Sequence, residues 1–564
     1  MTSNSSIKVV LCWHMHQPQY LDFMSGAYSQ PWTYLHAIKD YVDMAAHLEA
    51  HPAARAVINF APILLHQIQD YASQVGEMLQ HGGPIRDPLL SALADPALPV
   101  ERWQQETLIS ACLRANRTTM IDRFPGFRSL VDLASTFGQQ PDALDYIDEQ
   151  FIADLLVWYH LAWMGETVRR QHAKVAELME KGRRYTLHDR RELLNIIGEL
   201  LSGLIPRYRS LAENGQIELA VSPYAHPILP LLLDLRSAQE TMPDAPMPAA
   251  AEYPDGPSRA GWHIEHAIAV FYEHFGTRPV GCWPSEGSVS EQTLTLLEKH
   301  GFKWCASGES VLHHSVQKSG ESLEQKRRHY LYQPHRVGDG NISCFFRDDR
   351  LSNQIGFVYS DWHSDDAVAD LLHHLENIAQ SYSDLPDTVV SIILDGENAW
   401  EYYPENGYHF LTALYEKLIE HPDIQLCTFR DCLEAGVPSN RLPNLVPGSW
   451  VYGTFSTWIG VPDKNRGWDM LVEAKEAYDR AVVNGLAGER LDEARLQLAV
   501  CEGSDWFWWF GGDNPAEAVS DFDRLYRMHL SHLYQLIGIE PPEYLSRPFT
   551  FGGGEPALGG TMKR

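Results

Sequence analysis

The stretch Val389–Trp400 reads VVSIILDGENAW: five of its first six residues are Val, Ile or Leu, and they run straight into Asp395, Gly396 and Glu397. A run this short and this apolar, without polar alternation, is the signature of a strand covered on both faces, as in parallel sheets flanked by helices. An acidic residue at its exit stands on the edge where α/β barrels build their sites.

Similar runs recur toward the N-terminus and just beyond this stretch. They are Ile7 to Trp13, Ala56 to Phe60, Ile217 to Val221, Val280 to Trp283, Lys303 to Ala306, Ser343 to Phe346 and Ile424 to Cys427, separated by segments of helical character. Strand and helix in alternation imply a parallel sheet, and closure into a barrel removes its edges. Residues 101 to 215 carry LLVWYHLAWMGETVRRQHAKVAELMEKG and read as a helical insertion. Ser237 to Gly261 and His313 to His329 read as long surface loops. After Pro443, GWDMLVEAKEAYDRAVVNGL and DFDRLYRMHLSHLYQLIGI place apolar residues three and four apart. The expected organisation is therefore an α/β barrel domain over residues 1–440 and a C-terminal helical domain over 441–564 that contributes to the substrate cleft.

Composition limits what such a chain does. Its 564 residues are 44% hydrophobic and 21% charged, with a mean hydropathy of −0.28, which excludes global disorder, collagen and coiled coil. Forty-five Lys and Arg against 74 Asp and Glu leave a net charge of −29, a field that repels phosphate backbones and anionic lipid. Nucleic acid and membrane are excluded as main partners, and a neutral substrate fits. Sixteen Trp and 25 Tyr supply flat apolar faces with one polar edge, which suit sugar rings as well as a core. The eight cysteines lie scattered, without a CxxC pair, as free thiols in a reducing compartment do. The N-terminus lacks a basic region ahead of an uninterrupted apolar run, so it reads as no signal peptide, and the expected location is cytoplasmic. The sequence carries no signal of oligomeric state.

Three polar groups stand at strand exits: Trp13-His14-Met15-His16-Gln17-Pro18, Trp283-Pro284-Ser285-Glu286-Gly287 and Asp395-Gly396-Glu397-Asn398-Ala399-Trp400. Glu286, ahead of Gly287, would sit on a tight turn. Asp395 leaves an apolar strand directly. Two carboxylates so held serve glycosidic cleavage, one ionised at the anomeric carbon and the other protonated toward the leaving group. The competing assignment for each is a helix cap. His14 and His16 form an HxH pair that, with a carboxylate, could ligate zinc. A zinc-dependent carbohydrate deacetylase or α-mannosidase-like enzyme is thus an alternative, as is a non-catalytic glucan binder that would need neither carboxylate.

WHMHQPQY, GQIELAVSPYAHPILPLL (215–232), WPSEGSVS (283–290) and LDGENAWEYYPENG (394–407) resemble, in order, the signature regions of glycoside hydrolase family 57. GSWVYGTFSTWIGVPDKNRGW (448–468) and CEGSDWFWWFGGDN (501–514) resemble its α-amylase and amylopullulanase-like branch. The resemblance implies an incomplete (β/α)7 barrel and a retaining enzyme of α-glucans such as glycogen, starch or maltodextrin. Glu286 then matches the nucleophile and Asp395 the general acid/base. His16 matches a substrate-binding histidine, and Glu218 and His226 fall on positions lining the site. His14, Trp283, Glu397, Trp400, Trp450, Trp458, Asp505 and Trp506 complete the expected substrate contacts. Eight strands read from the sequence against seven implied make Ser343 to Phe346 the expected loop hairpin. HQP in the first motif disfavours a branching enzyme, while 4-α-glucanotransferase activity shares the same carboxylates. The mechanism requires no metal or other cofactor, and acidic loops could hold a structural calcium. Retention implies carboxyl groups about 5 to 5.5 Å apart.

Overall fold

The computed structural model describes residues 6–139, 147–320, 330–383, 385, 387–397 and 399–554; the expected loop His313–His329 lies outside it beyond residue 320. Seven parallel strands form the barrel: β1 (Ile7–Met15), β2 (Ala56–Phe60), β3 (Ile217–Val221), β4 (Gly281–Cys282), β5 (Trp304–Gly308), β6 (Ser343–Arg347) and β7 (Val389–Asp395). Their order is β6-β5-β4-β3-β2-β1-β7, and β6 meets β7 where Arg347 faces Ser391.

Ser343 to Phe346 is therefore a barrel strand, not part of a loop hairpin. Phe345 fills the barrel interior while Phe346 packs against the surrounding helices, so both faces of the strand are covered. Of the eight expected strands, the one outside the barrel is Ile424–Leu426, three residues that extend the sheet only beside Ile7 to Val9. His335–Val337 adds a short antiparallel neighbour to β6 and pairs in turn with Asn440–Leu442.

Along each strand, side chains alternate between two cores. Val10, Cys12, Val57, Ala220, Trp304, Ala306, Phe345 and Ile393 fill the barrel, and Val9, Leu11, Ile58, Leu219, Ile392 and Leu394 pack outward. Gly281 makes room for the largest of the interior residues, because a Cβ there would lie 1.8 Å from the Trp304 indole. The alternation carries four of the strands to a polar residue at the exit: His14 on β1, Asn59 on β2, Ser222 just after β3, and Asp395 on β7.

Between β2 and β3 the described chain is helical: Pro62–His81 and Pro88–Ala94 precede Arg102–Cys112, which opens the stretch expected as a helical insertion, and Leu187–Glu213 closes it. The expected loop from Ser237 to Gly261 shortens to 241–255, since a tight helical turn spans Leu235–Glu240 and a helix covers Gly256–Phe275. His313 belongs to the helix Glu309–Lys318. Beyond residue 442 the described chain is helical, with Pro462–Val483, Glu489–Cys501, Ser504–Trp509 and Ala516–Leu536.

Glu502 ties this region to the barrel. Fully buried, it accepts hydrogen bonds from Arg259 at 2.8 and 2.7 Å, from His263 Nε2 at 2.7 Å and from the Tyr253 hydroxyl at 2.5 Å. Burial alone would raise its carboxyl, but the Arg259 charge and these donors hold it down at about 2. All eight cysteines are buried and free. Among the described residues no helix is long and apolar enough to cross a membrane.

Candidate active site

Glu286 stands in the turn Ser285–Gly287 after β4, with a left-handed backbone (φ 58°, ψ 25°). For a non-glycine residue this conformation costs about 1 kcal/mol or more, so the surroundings must enforce it. Backbone bonds from Gly287 N to the Pro284 carbonyl and from Trp450 N to the Glu286 carbonyl do so. Gly287 continues the left-handed path at φ 59°, and a Cβ on it would meet the Trp283 ring at 2.8 Å. The carboxylate is aimed by Trp450, whose Nε1 donates to Oε2 at 2.9 Å. Arg347 stacks over the other part of that indole, 5.2 Å from its ring centre.

Asp395, the last residue of β7, lies beside His14 in register, and both line the same cleft as Glu286. Burial first and the Asp395 charge second push the Glu286 carboxyl up to about 8, partly opposed by the Trp450 donor. The two carboxyl groups are thus electrically coupled, and the pair retains a proton at neutral pH. Glu397, two residues on, is buried and pushed well above the usual carboxylate range by burial and then by Asp395. Its Oε1 accepts long bonds of 3.4 Å from His16 N and Gln17 Nε2, and Oε2 has no partner among the described residues.

Three imidazoles stack together beside the carboxyl groups, with His226 Nδ1 3.9 Å from Glu286 Oε1 and His14 next to Asp395 in register. His14 Nδ1 meets the Asn59 side-chain oxygen at 2.7 Å, His14 Nε2 meets His226 Nε2 at 3.1 Å, and His226 Nδ1 meets the Ser504 hydroxyl at 2.9 Å. With neutral rings this chain has one consistent direction: Ser504 donates to His226, His226 to His14, and His14 to Asn59. Burial, followed by neighbouring imidazole charge, keeps both rings neutral, pushing His14 down to about 3 and His226 well below its ordinary value. His16 stacks on His226 with centroids 3.9 Å apart, and its Nε2 meets Asp505 Oδ1 at 2.8 Å. His226 also has a left-handed backbone, at φ 60°.

Among the described residues, the group able to hold a metal is His16, His226 and Asp505, with ligand atoms within 4.8 Å of one another. The HxH pair expected to ligate together is split, because both nitrogens of His14 are engaged elsewhere. The His16 and His226 rings lie 20° from parallel, so their in-plane lone pairs run side by side instead of converging. As arranged, the residues do not fit a zinc centre.

Of the expected residues, the cleft brings together Glu286, Asp395, Glu397, His14, His16, Trp450 and Asp505, and His226 stacks directly behind His16. Others lie elsewhere. Glu218 points into the barrel at the N-terminal end of β3, where it accepts from Trp304 Nε1 at 2.7 Å and from Arg430 N at 2.9 Å. That end of a barrel serves stability. Trp283 is fully buried beneath His14 and Trp450. Trp400 packs behind β1 against Trp13 and donates to the Gly396 carbonyl. Trp458 is buried under Trp508, and Trp506 donates to the Val500 carbonyl within a seam of Phe522, Tyr526 and His529. The indoles that reach the cleft from this segment are Trp508 and Trp509, joined by Tyr20 and Phe522. Asn59, Ser222 and Ser504, which orient the imidazoles, were not expected; period-two counting along β2 and β3 would have indicated the first two.

The family model for glycosyl hydrolase family 57 matches residues 10–444. No curated protein matches the chain in sequence. Among solved structures, a GH57 branching enzyme from Thermococcus kodakaraensis superposes with a TM-score of 0.58 at 14% identity, covering 94% of this chain and 90% of its own. The α-amylase AmyC from Thermotoga maritima gives 0.54 at 13% identity, covering 94% and 93%. A 4-α-glucanotransferase from Thermococcus litoralis gives 0.52 at 14%, covering 94% of this chain and 60% of that one. At such identities the likeness is one of fold, while the match of the family model across the barrel carries the assignment: the chain belongs to glycosyl hydrolase family 57.

Proposed function

We propose that the protein cleaves α-glucans with retention of configuration, Glu286 attacking the anomeric carbon and Asp395 protonating the departing oxygen. The observation that carries this reading is the pair of coupled carboxyl groups at the exits of β4 and β7, facing one cleft walled by aromatic rings. Aromatic faces suit sugar rings, and the three solved structures described above are named a branching enzyme, an α-amylase and a 4-α-glucanotransferase.

In the first step Glu286 must be ionised and the shared proton must sit on Asp395. Trp450 Nε1–H and the positive charge developing at the anomeric carbon both favour that arrangement. Glu286 Oε2 or Oε1 then forms the bond to the anomeric carbon while the glycosidic C–O bond breaks and takes the Asp395 proton. Asp395, now a base, withdraws a proton from water or from a sugar hydroxyl, which displaces Glu286. Water gives hydrolysis; a sugar hydroxyl gives glucanotransfer or branching.

The upward push on Glu286 favours a second reading with the roles exchanged. Intact-protein mass spectrometry after mixing with α-glucosyl fluoride separates the two, since fluoride leaves without protonation. On the proposed assignment Asp395→Asn accumulates a glucosyl adduct and Glu286→Gln forms none; the opposite pattern exchanges the roles. Products from glycogen, pullulan, amylose and maltoheptaose, separated by length and linkage, read hydrolysis against transfer.

A further inference from the structure

The helix Arg102–Cys112 in the insertion buries Leu108, Ile109 and Cys112 and turns another face outward. On that face stand Trp103, Glu106, Thr107 and Ser110, spaced by three, four and seven, and Trp103 is 66% exposed. A large indole on an exposed helix face gains nothing from burial. Here it stands over a cavity of about 760 Å³, within the range of ligand sites, about 300 to 1,000 Å³.

The cavity's opposite wall is polar and fixed. Arg114 lies 4.7 Å over the Trp32 ring and donates to the Gln30 side-chain oxygen at 2.6 Å; Gln30 Nε2 donates to Asp521 at 3.0 Å. Gln30 is 7% exposed, so the wall is held in place before any ligand arrives. The guanidinium is committed to Gln30 and Asp521, and the other Asp, Glu, Lys or Arg side chains of the lining, Asp87, Glu106 and Glu517, are all acidic. Such a cavity disfavours anions. It offers a flat apolar face, hydroxyl and amide groups, and carboxylate acceptors, which together suit an uncharged polyhydroxylated chain.

Two elements are shared with the cleft. On the helix Ala516–Leu536, Phe522 lines the cleft while its neighbour Asp521 lines the cavity. The segment after β1 likewise contributes His16, Gln17, Pro18 and Tyr20 to the cleft and Tyr28 to Pro31 to the cavity. We infer that the Trp103 cavity is an accessory binding site for a segment of α-glucan chain, separate from the catalytic cleft and holding long or branched substrates beside it. This rests on the α-glucan reading above.

The test is electrophoresis in native gels containing glycogen, using Glu286→Gln to prevent turnover, with wild-type hydrolysis of maltoheptaose measured separately. Glu286→Gln is expected to be retarded by glycogen, and Glu286→Gln/Trp103→Ala to lose most of that retardation with an unchanged melting temperature. Equal retardation of the two variants, or equal retardation of Glu286→Gln by a β-linked glucan, overturns the accessory site. If wild type still turns over maltoheptaose, only the cavity proposal falls; if wild type neither binds glycogen nor cleaves maltoheptaose, the α-glucan reading falls with it.

Discussion

Replacing Glu286 by Gln is expected to stabilise the fold while it removes activity, and the gain depends on pH in a defined way. The carboxyl moves from about 4.5 in the unfolded chain to about 8 in the folded protein, burial contributing more than Asp395. Below the unfolded value both states are protonated and the group imposes no penalty. Between the two values folding must take up a proton, so stability falls by about 1.4 kcal/mol per pH unit. At pH 7 that is 2.5 units above 4.5, at most about 3 kcal/mol, and above pH 8 the loss levels off near 5 kcal/mol. Gln keeps the shape without the ionisation. Thermal unfolding of both proteins at pH 5, 7 and 9, at one scan rate, should show nearly equal midpoints at pH 5. The variant should be higher by several degrees at pH 7 and by most at pH 9. In an Asp395→Asn background the gain should shrink, because the second cause of the shift has been removed. A difference independent of pH, or a Gln variant less stable than wild type at pH 9, would refute the reasoning.

Wild-type activity on maltodextrin should fall as pH rises through about 8, where the pair loses its last proton, and Trp450→Phe should move that limb upward by removing the donor that lowers the Glu286 carboxyl. A limb unmoved in Trp450→Phe denies the indole its role. Trp508→Ala should raise KM or shift product length with little change in melting temperature, whereas Trp506→Ala should cost about 3 to 5 kcal/mol of stability as a buried indole; calorimetry beside chain-length analysis distinguishes them. Turnover should survive dialysis against EDTA, and activity lost to chelation and restored by zinc alone would revive the metal reading of His16, His226 and Asp505.

What could be read from the sequence was whatever a strand dictates locally. Asp395 and His14 follow from an apolar run and its exit, and Glu286 from the turn after one. Phase along a strand was equally available. Glu218 is two residues before Ala220, hence inward, and second of five in β3, hence at the end away from the cleft; its motif position alone placed it in the site. The tryptophans resisted for a different reason. In Ser504–Trp509 the helix is six residues long and all four residues beyond Asp505 are aromatic, so no polar face marks its phase, and only docking decides that Trp508 and Trp509 reach the cleft while Trp506 turns into the seam.

The partners of the strand-exit residues lie far along the chain: Trp450 is 164 residues from Glu286, Ser504 is 278 from His226, and Asp505 is 489 from His16. None of these separations leaves a local pattern. They mean that the barrel supplies the paired carboxyl groups of the cleft, while the segment around Trp450 and the C-terminal helix Ser504–Trp509 supply partners that orient and desolvate them. Burial, the largest cause of the Glu286 shift, is therefore partly a property of the docked C-terminal region, which the buried Glu502–Arg259 pair holds in place. Loosening that pair should lower the Glu286 carboxyl and weaken the His16–Asp505 contact together, because both depend on the same closure.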